Sequence, residues 1–339
     1  MYVEIFTAPK DPTAPRDNED RAVAYDQRTF AVVDGVTDKS GLRHDGRSGG
    51  WHAAHAIEGA LRALTDAGTL AHAEVGAIVD ALNAAILERY RRFGRLDAAA
   101  GDPGARFGAG AAIAHVDGAS TRLVLVGDCG ARLDGTVWRR AHPADEVMAA
   151  LRAAAYQALT ELAPRASDAE RLAAARAYTV GGLLERPAEA AGLLPPAGHH
   201  RLAEWVRHAL AGEFGGIDPG LLRSLADGGL RAAARLRASG GAWAHGVLDG
   251  FPLTPVQVDD VRVATASFST LELFSDGYFG WPATGGRVAA WEAHHAEVER
   301  TDPYRIGRHR STKGSSPGRF ADDRTVVILR KEPPIHEAP

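Results

Sequence analysis

The sequence predicts an α+β protein, and three observations predict it. Short apolar runs of β-type composition fill the first 35 residues and return from 107 to 138 and from 258 to 329. Two stretches, 52–64 and 73–93, carry apolar residues at helical spacing. A longer one, 144–239, is rich in Ala, Leu, Arg and Glu, which favour helix.

Taken in order, Tyr2 to Thr7 reads as a strand, and Ala22 to Tyr25 with Thr29 to Val33 as a hairpin broken by the polar pair Asp26 and Gln27. A Gly-rich loop spans Ser40 to Gly50. The helices from His52 to Leu64 and Ala73 to Phe93 are amphipathic, the second through Val75, Ile78, Val79, Leu82, Ile86, Leu87 and Tyr90. From Phe107 a meander follows, punctuated by Asp117-Gly118 and Asp134-Gly135 as hairpin turns. Residues 144–239 read as a helical insertion with breaks at Pro164, Pro187, Pro195-Pro196 and Gly215-Gly216. Strand character resumes at Trp243 to Leu248, Val258 to Ala266, Leu271 to Phe274 and Thr325 to Leu329, and 331–339 reads as a frayed tail. The expectation is one elaborated domain over 1–339.

With 39 Lys and Arg against 43 Asp and Glu, the net charge of −4 carries no electrostatic footprint for nucleic acid or an anionic membrane. The single Cys129 excludes an intramolecular disulfide framework and any multi-cysteine metal site, and suits a reducing cytoplasm. No run approaches the roughly 18 apolar residues of a membrane span, and the first residues have no signal-peptide pattern. A soluble cytoplasmic protein is expected, with no nucleic-acid or membrane partner and an oligomeric state left open.

Four acidic clusters close β-type runs: Glu19-Asp20, Asp34-Gly35, Asp276-Gly277 and Asp322-Asp323. Phe30 to Val33 precedes Asp34, Leu271 to Ser275 precedes Asp276, and Thr325 to Leu329 follows Asp323, so a sheet could gather all four at one edge. Carboxylates are hard ligands suited to Mg²⁺ or Mn²⁺. Two such ions roughly 4 Å apart lower the pKa of a shared water and serve phosphoryl hydrolysis. The glycine after Asp34 and after Asp276 suits a sharp turn. Asp-Gly is also a common turn pair, with five more at 45, 117, 134, 227 and 249, so one pair alone reads as a turn.

Order and context add to this. Arg16, Asn18-Glu19-Asp20 and a hairpin into Asp34-Gly35, then Gly108 to Ala111, Gly127-Asp128, Ser275-Asp276-Gly277 and Asp322-Asp323-Arg324-Thr325 follow one another as in a PP2C-type, or PPM family, metal-dependent serine/threonine phosphatase. The chain resembles that family over nearly its whole length apart from the helical segment. The resemblance implies a four-layer α-β-β-α sandwich of two antiparallel sheets flanked by helices, with the helical insertion near one end. It implies two Mn²⁺ or Mg²⁺ ions bridged by Asp34, with the Gly35 carbonyl on one of them. Asp276 and Asp322 would hold the first ion, Glu19 would support the second through water, Asp20 would belong to the same cluster, and Asp128 with Asp276 could take a third. Arg16 would bind phosphate, and the substrate would be phosphoserine or phosphothreonine in a protein partner, hydrolysed by a hydroxide bridging the two ions.

Several departures bear on this. Arg16 stands one residue closer to Asn18-Glu19-Asp20 than in the family, and a shift of one along a strand would turn it to the opposite face; Arg21 is a weaker substitute. Val36 stands where some members carry a His acid. Cys129-Gly130 replaces Ser-Arg, with Cys129 reading as a small buried hydrophobe. The loop from Asp34 to Gly50 is long. His199-His200 and His294-His295 read as surface pairs, and Arg305 to Lys313 as a basic loop, either solvated or open to an acidic or phosphorylated partner. A catalytically silent phosphoprotein-binding module and a small-metabolite phosphatase are the competing readings.

Overall fold

The structure is a computed structural model describing residues 1–36, 42–140, 142–237, 243 and 245–331. Expectations for Thr37 to Gly41 in the long loop, for the last residues of the 144–239 segment and for 332–339 of the tail lie outside the described residues. Two compact units divide the chain: Met1–Ala141 with His245–Glu297 and Asp322–Pro339, and His142–Ala244 with Val298–Ala321.

In the first unit ten strands form two antiparallel five-stranded sheets. They are β1 (Tyr2–Ala8), β2 (Arg21–Tyr25), β3 (Thr29–Gly35), β4 (Ala109–Asp117), β5 (Ser120–Val126), β6 (Gly130–Leu133), β7 (Thr136–Trp138), β8 (Val258–Ala264), β9 (Thr270–Phe274) and β10 (Arg324–Arg330). One sheet has the order β1-β10-β9-β6-β7 and the other β2-β3-β4-β5-β8. Strand periodicity explains why β3 and β4 are buried along nearly their whole length. Phe30, Val32, Ala112 and Ala114 point inward against Leu271, Leu273, Val327 and Leu329 of the other sheet. Ala31, Val33, Ala111 and Ile113 point outward against α1 (Gly49–Asp66) and α2 (Val75–Arg92), through Ala53, Ile57, Ile78 and Leu82. The outer face of the first sheet, Phe274, Val326 and Ile328, is covered by Val288 and Trp291 at the start of α9 (Val288–Thr301). The fold is thus a four-layer α-β-β-α sandwich. A short α3 (Leu96–Gly101), not evident in the sequence pattern, follows α2.

The second unit is helical. α4 (Pro143–Leu162), α5 (Asp168–Gly181), the short α6 (Ala188–Ala191), α7 (Pro196–Glu213) and α8 (Pro219–Arg237), kinked at Gly229, bury Val147, Leu151, Tyr178, Leu202, Val206 and Leu225 in one core. Within this unit the buried Arg152 donates to the carbonyls of Tyr304, Arg305 and Ser311, and so anchors the 303–315 loop.

Several expectations change. Trp243 to Leu248 forms no strand among its described residues; only Leu248 bridges, to Ala109, and Trp243 packs on the helical core. One histidine of each pair is buried: His199 hydrogen-bonds Tyr178 inside the helical core, and His295 is 4 % exposed. Arg305 is fully buried against Glu299, and Arg310 pairs with Glu213, so the basic loop is partly spent on internal pairing. Among the described residues no helix is long and apolar enough to cross a membrane.

Candidate metal centre

Antiparallel pairing decides where the acidic side chains meet. Arg21 pairs with Val33, Asp34 with Gly110, Ala111 with Val126, and Phe274 with Val326. The C-terminal ends of β3, β5 and β9 and the N-terminal ends of β2, β4 and β10 therefore share one end of the sandwich. Asp34, Asp128, Asp276, Asp20 and Asp322 sit at those ends. The carboxylates come from both sheets.

Two glycines allow the close approach. A Cβ at Gly35 would lie 2.6 Å from the Gly50 carbonyl oxygen and 2.8 Å from that of Glu19, and one at Gly277 would lie 1.9 Å from the Asp323 carbonyl oxygen. Neither glycine has a positive φ. Both let one backbone touch another, and Gly277 also lies, as expected, in a turn, the 3-10 turn Asp276–Tyr278 after β9.

The electrostatics are those of crowded like charges. Burial, then the neighbouring Asp20, Asp276, Asp128 and Asp322, push the Asp34 carboxyl well above the usual carboxylate range. Asp20 is raised likewise by burial and by Asp323 and Asp322, with the nearby Ser275 and Thr325 hydroxyls opposing the shift. Asp20 is only 1 % exposed, yet neither of its carboxylate oxygens forms a hydrogen bond. A buried carboxylate whose oxygens form no hydrogen bond, ringed by other carboxylates, fits a site built for a cation. Hard oxygen donors in this number suit Mg²⁺ or Mn²⁺.

Glu19 is oriented by the chain itself. Ser48, the N-cap of α1, accepts the Trp51 N–H at 3.3 Å and donates to Glu19 Oε1 at 2.5 Å. Lys10 Nζ lies 2.6 Å from Glu19 Oε2, 3.2 Å from Asp323 and 3.7 Å from Asp322. The Lys10 backbone N–H donates to Asp323 Oδ1 at 2.6 Å, and the Glu19 N–H to Asp323 Oδ2 at 3.0 Å.

Arg16 stands apart from this cluster. It is exposed in a single 3-10 turn, Pro15–Asp17, with its carbonyl accepting from Arg47 at 2.8 Å. A turn has no strand faces, so the one-residue shift does not invert it. Arg21 is committed elsewhere, donating to the Asp20 carbonyl at 2.6 Å and lying over the Trp51 ring.

Similar chains have been solved. A bacterial serine phosphatase matches with a TM-score of 0.47 and 12% identity over 98% of each chain. The serine/threonine phosphatase PstP/Ppp of Mycobacterium tuberculosis matches at 0.45 and 15% identity, over 98% of this chain and 100% of that one. The catalytic domain of PstP in complex with two manganese ions matches at 0.43 and 15% identity over 96% of each. No family model matches the sequence, and no curated protein does.

Sequence reasoning missed Lys10 and Ser48. Ser48 was legible as a helix N-cap, since it precedes Gly49-Gly50 and an amphipathic run. Lys10 carried no local signal. Its place follows from Ala8 pairing with Arg324, which sets residue 10 beside Asp322 and Asp323 across more than three hundred residues of chain.

Proposed function

We propose that the chain is a Mg²⁺/Mn²⁺-dependent phosphatase of PP2C type that hydrolyses phosphoserine and phosphothreonine monoesters in proteins. One observation carries this reading: Asp20, Asp34, Asp128, Asp276 and Asp322 crowd one end of the sandwich, burial and the acidic neighbours raise the proton affinity of Asp20 and Asp34, and neither carboxylate oxygen of the buried Asp20 forms a hydrogen bond. Asp34, Asp276 and Asp322 with the Gly35 carbonyl would hold two ions, Glu19 and Asp20 would complete the surroundings, and Asp128 would serve a third. The bound ions would supply positive charge for the phosphate and acidify an attacking water.

The chain's own residues do the rest. Ser48 and Lys10 hold Glu19 in one rotamer, so no ordering is required when substrate arrives. Arg16, in its turn ahead of Asn18, Glu19 and Asp20, would meet the phosphate dianion from the solvent side, where a guanidinium fork suits two oxygens at once. With Val36 after Asp34-Gly35, no histidine in the usual place protonates the leaving group.

One observation favours a second reading, a phosphoprotein-binding module without turnover. Lys10 already supplies a protein cation to Glu19, Asp322 and Asp323. Hydrolysis of p-nitrophenyl phosphate and of a phosphothreonine peptide with added Mn²⁺, by wild type and Asp34→Asn, separates the readings. Turnover of both by the wild type alone supports the protein phosphatase. Turnover of the aryl ester only indicates a small-metabolite enzyme, and none at all the binding module.

A further inference from the structure

Two of the acidic segments are tied together by a side chain that belongs to neither. Asp276 opens the 3-10 turn Asp276–Tyr278 after β9, and Asp322 and Asp323 lead into β10. Past the last ladder pair, Phe274 with Val326, the Ser275 N–H donates to the Thr325 carbonyl at 3.0 Å and the Thr325 N–H to Ser275 Oγ at 2.9 Å. Gly277 then packs directly on the Asp323 backbone. These contacts bring the two segments side by side.

Glu292 of α9 then holds both from outside. Its Oε1 accepts from the Tyr278 hydroxyl at 3.1 Å, two residues after Asp276, and from Arg324 Nε at 3.0 Å, two residues after Asp322. Its Oε2 accepts from Arg324 Nη2 at 2.7 Å. A guanidinium held at two points on a carboxylate is fixed in angle as well as in distance. Both arms are packed: Tyr278 is fully buried with its ring centroid 4.9 Å from that of Trp291, and Arg324, its side chain 8 % exposed, lies over the Phe6 ring. Each oxygen of Glu292 already accepts a hydrogen bond, unlike those of Asp20, which suits a residue that places ligands and is not one itself.

We propose that Glu292 is a positioning residue of the metal centre, setting Asp276 through Tyr278 and Asp322 through Arg324. Mg²⁺ and Mn²⁺ take octahedral shells, and Mg²⁺ demands them nearly ideal, so ligand placement decides affinity. The inference rests on the metal centre proposed above but not on its turnover.

The test is Mn²⁺ titration of the metal-free chain, with bound ion counted by equilibrium dialysis, for wild type, Glu292→Gln, Arg324→Gln and Tyr278→Phe. Circular dichroism verifies that each is folded at the temperature of the titration. Glu292→Gln is expected to weaken Mn²⁺ binding at least about tenfold, as loss of a group that orients metal ligands does. Arg324→Gln separates positioning from charge. It removes a cation from the neighbourhood of the ions, so charge alone would tighten binding, whereas loss of the clamp weakens it, again at least about tenfold. Tyr278→Phe changes no charge and is expected to weaken binding less, because one arm remains. Wild-type affinity in folded Glu292→Gln, or tighter binding in Arg324→Gln, overturns the proposal and leaves the metal centre standing. If Arg324→Gln does not fold, wild-type affinity in Tyr278→Phe overturns it instead. A wild type that binds no Mn²⁺ overturns the centre itself and the positioning role with it.

Discussion

Asp20 and Glu272 are both carboxylates sealed in the same sandwich, each 1 % exposed, and their surroundings are opposite. Glu272 Oε1 accepts the Gly286 N–H at 2.6 Å and the Trp291 indole N–H at 2.9 Å, while Arg132 lies 3.5 Å from Oε2. Asp20 has other carboxylates around it and no hydrogen bond on its own. A carboxylate buried for structure arrives with its donors, because the chain must replace the water it loses. One buried among like charges without donors is unfavourable to the apo fold and makes sense only if something positive joins it. The contrast separates an acid that the fold satisfies from one that it leaves unsatisfied, without reference to any known protein.

The sharpest way to break the comparison is to neutralise the crowded side. Asp34→Asn should lower Mn²⁺-dependent phosphatase activity by more than about 10²-fold, in the range seen when one preorganised electrostatic group is removed. The metal-free variant should melt no lower than wild type, since one repelling charge has gone. Activity retained within a few-fold, measured against p-nitrophenyl phosphate, would remove Asp34 from the centre of the site.

Neutralising the satisfied side should act on folding instead. Glu272→Ala leaves the Gly286 N–H and the Trp291 indole without their acceptor and the buried Arg132 without its ion-pair partner, and should destabilise the chain by about 3–5 kcal/mol, the range for breaking a buried charge pair. Denaturant unfolding measures this. Activity per folded molecule should be unchanged, and a specific loss of turnover would merge the two classes.

The third comparison is with and without ion. Mn²⁺ at 100 times its Kd should stabilise the wild type by about 2.7 kcal/mol in thermal unfolding, and Asp34→Asn should reduce the gain. Without ion the pH dependence follows from the raised Asp20 and Asp34 carboxyls. Between the ordinary carboxylate pKa and those raised values the native state binds more protons than the unfolded chain, so stability falls as pH rises through that window. The metal-free protein should therefore be more stable in mild acid than at neutral pH, with Asp20→Asn flattening the slope. A metal-free melting temperature that climbs from pH 5 to 7 would contradict the crowding.

Much of this was legible before any coordinates. The apolar runs around Phe30 to Val33 and Leu271 to Phe274 are local signals, and both became strands, one reaching Asp34 and Gly35 and the other stopping at Phe274, two residues before Asp276. The carboxylates proposed as metal ligands stand at or next to strand ends, so the pattern that marks the strands also marks them. Trp243 to Leu248 misled because its apolar content serves packing and one bridge, not a ladder. The glycines at 35 and 277 were recognised for a turn, which Gly277 makes, but not for their contact with backbone more than ten residues away. Contacts of that kind have no periodicity to read. The partners of Glu272, at 132, 286 and 291, belong to the same class, and nothing in the sequence distinguished this acid from the others.

Lys10 is the residue where the two kinds of burial meet, since it gives part of the crowded cluster a protein donor. Lys10→Met removes the charge and keeps most of the apolar stem. Glu19 and Asp323 then lose a charged hydrogen bond each way, and the metal-free chain should be less stable by about 1.5 kcal/mol, the lower end for charged donors, because Lys10 is 13 % exposed. Added Mn²⁺ would relieve the same carboxylates, so the melting-temperature gain on binding should be larger in Lys10→Met than in wild type. If Lys10 instead only tethers β1 to the 322–323 turn, the variant loses stability by the same amount with and without Mn²⁺. Equal losses in the two conditions would make Lys10 a structural pin, and the Glu19 side of the centre would rank with Glu272 rather than with Asp20.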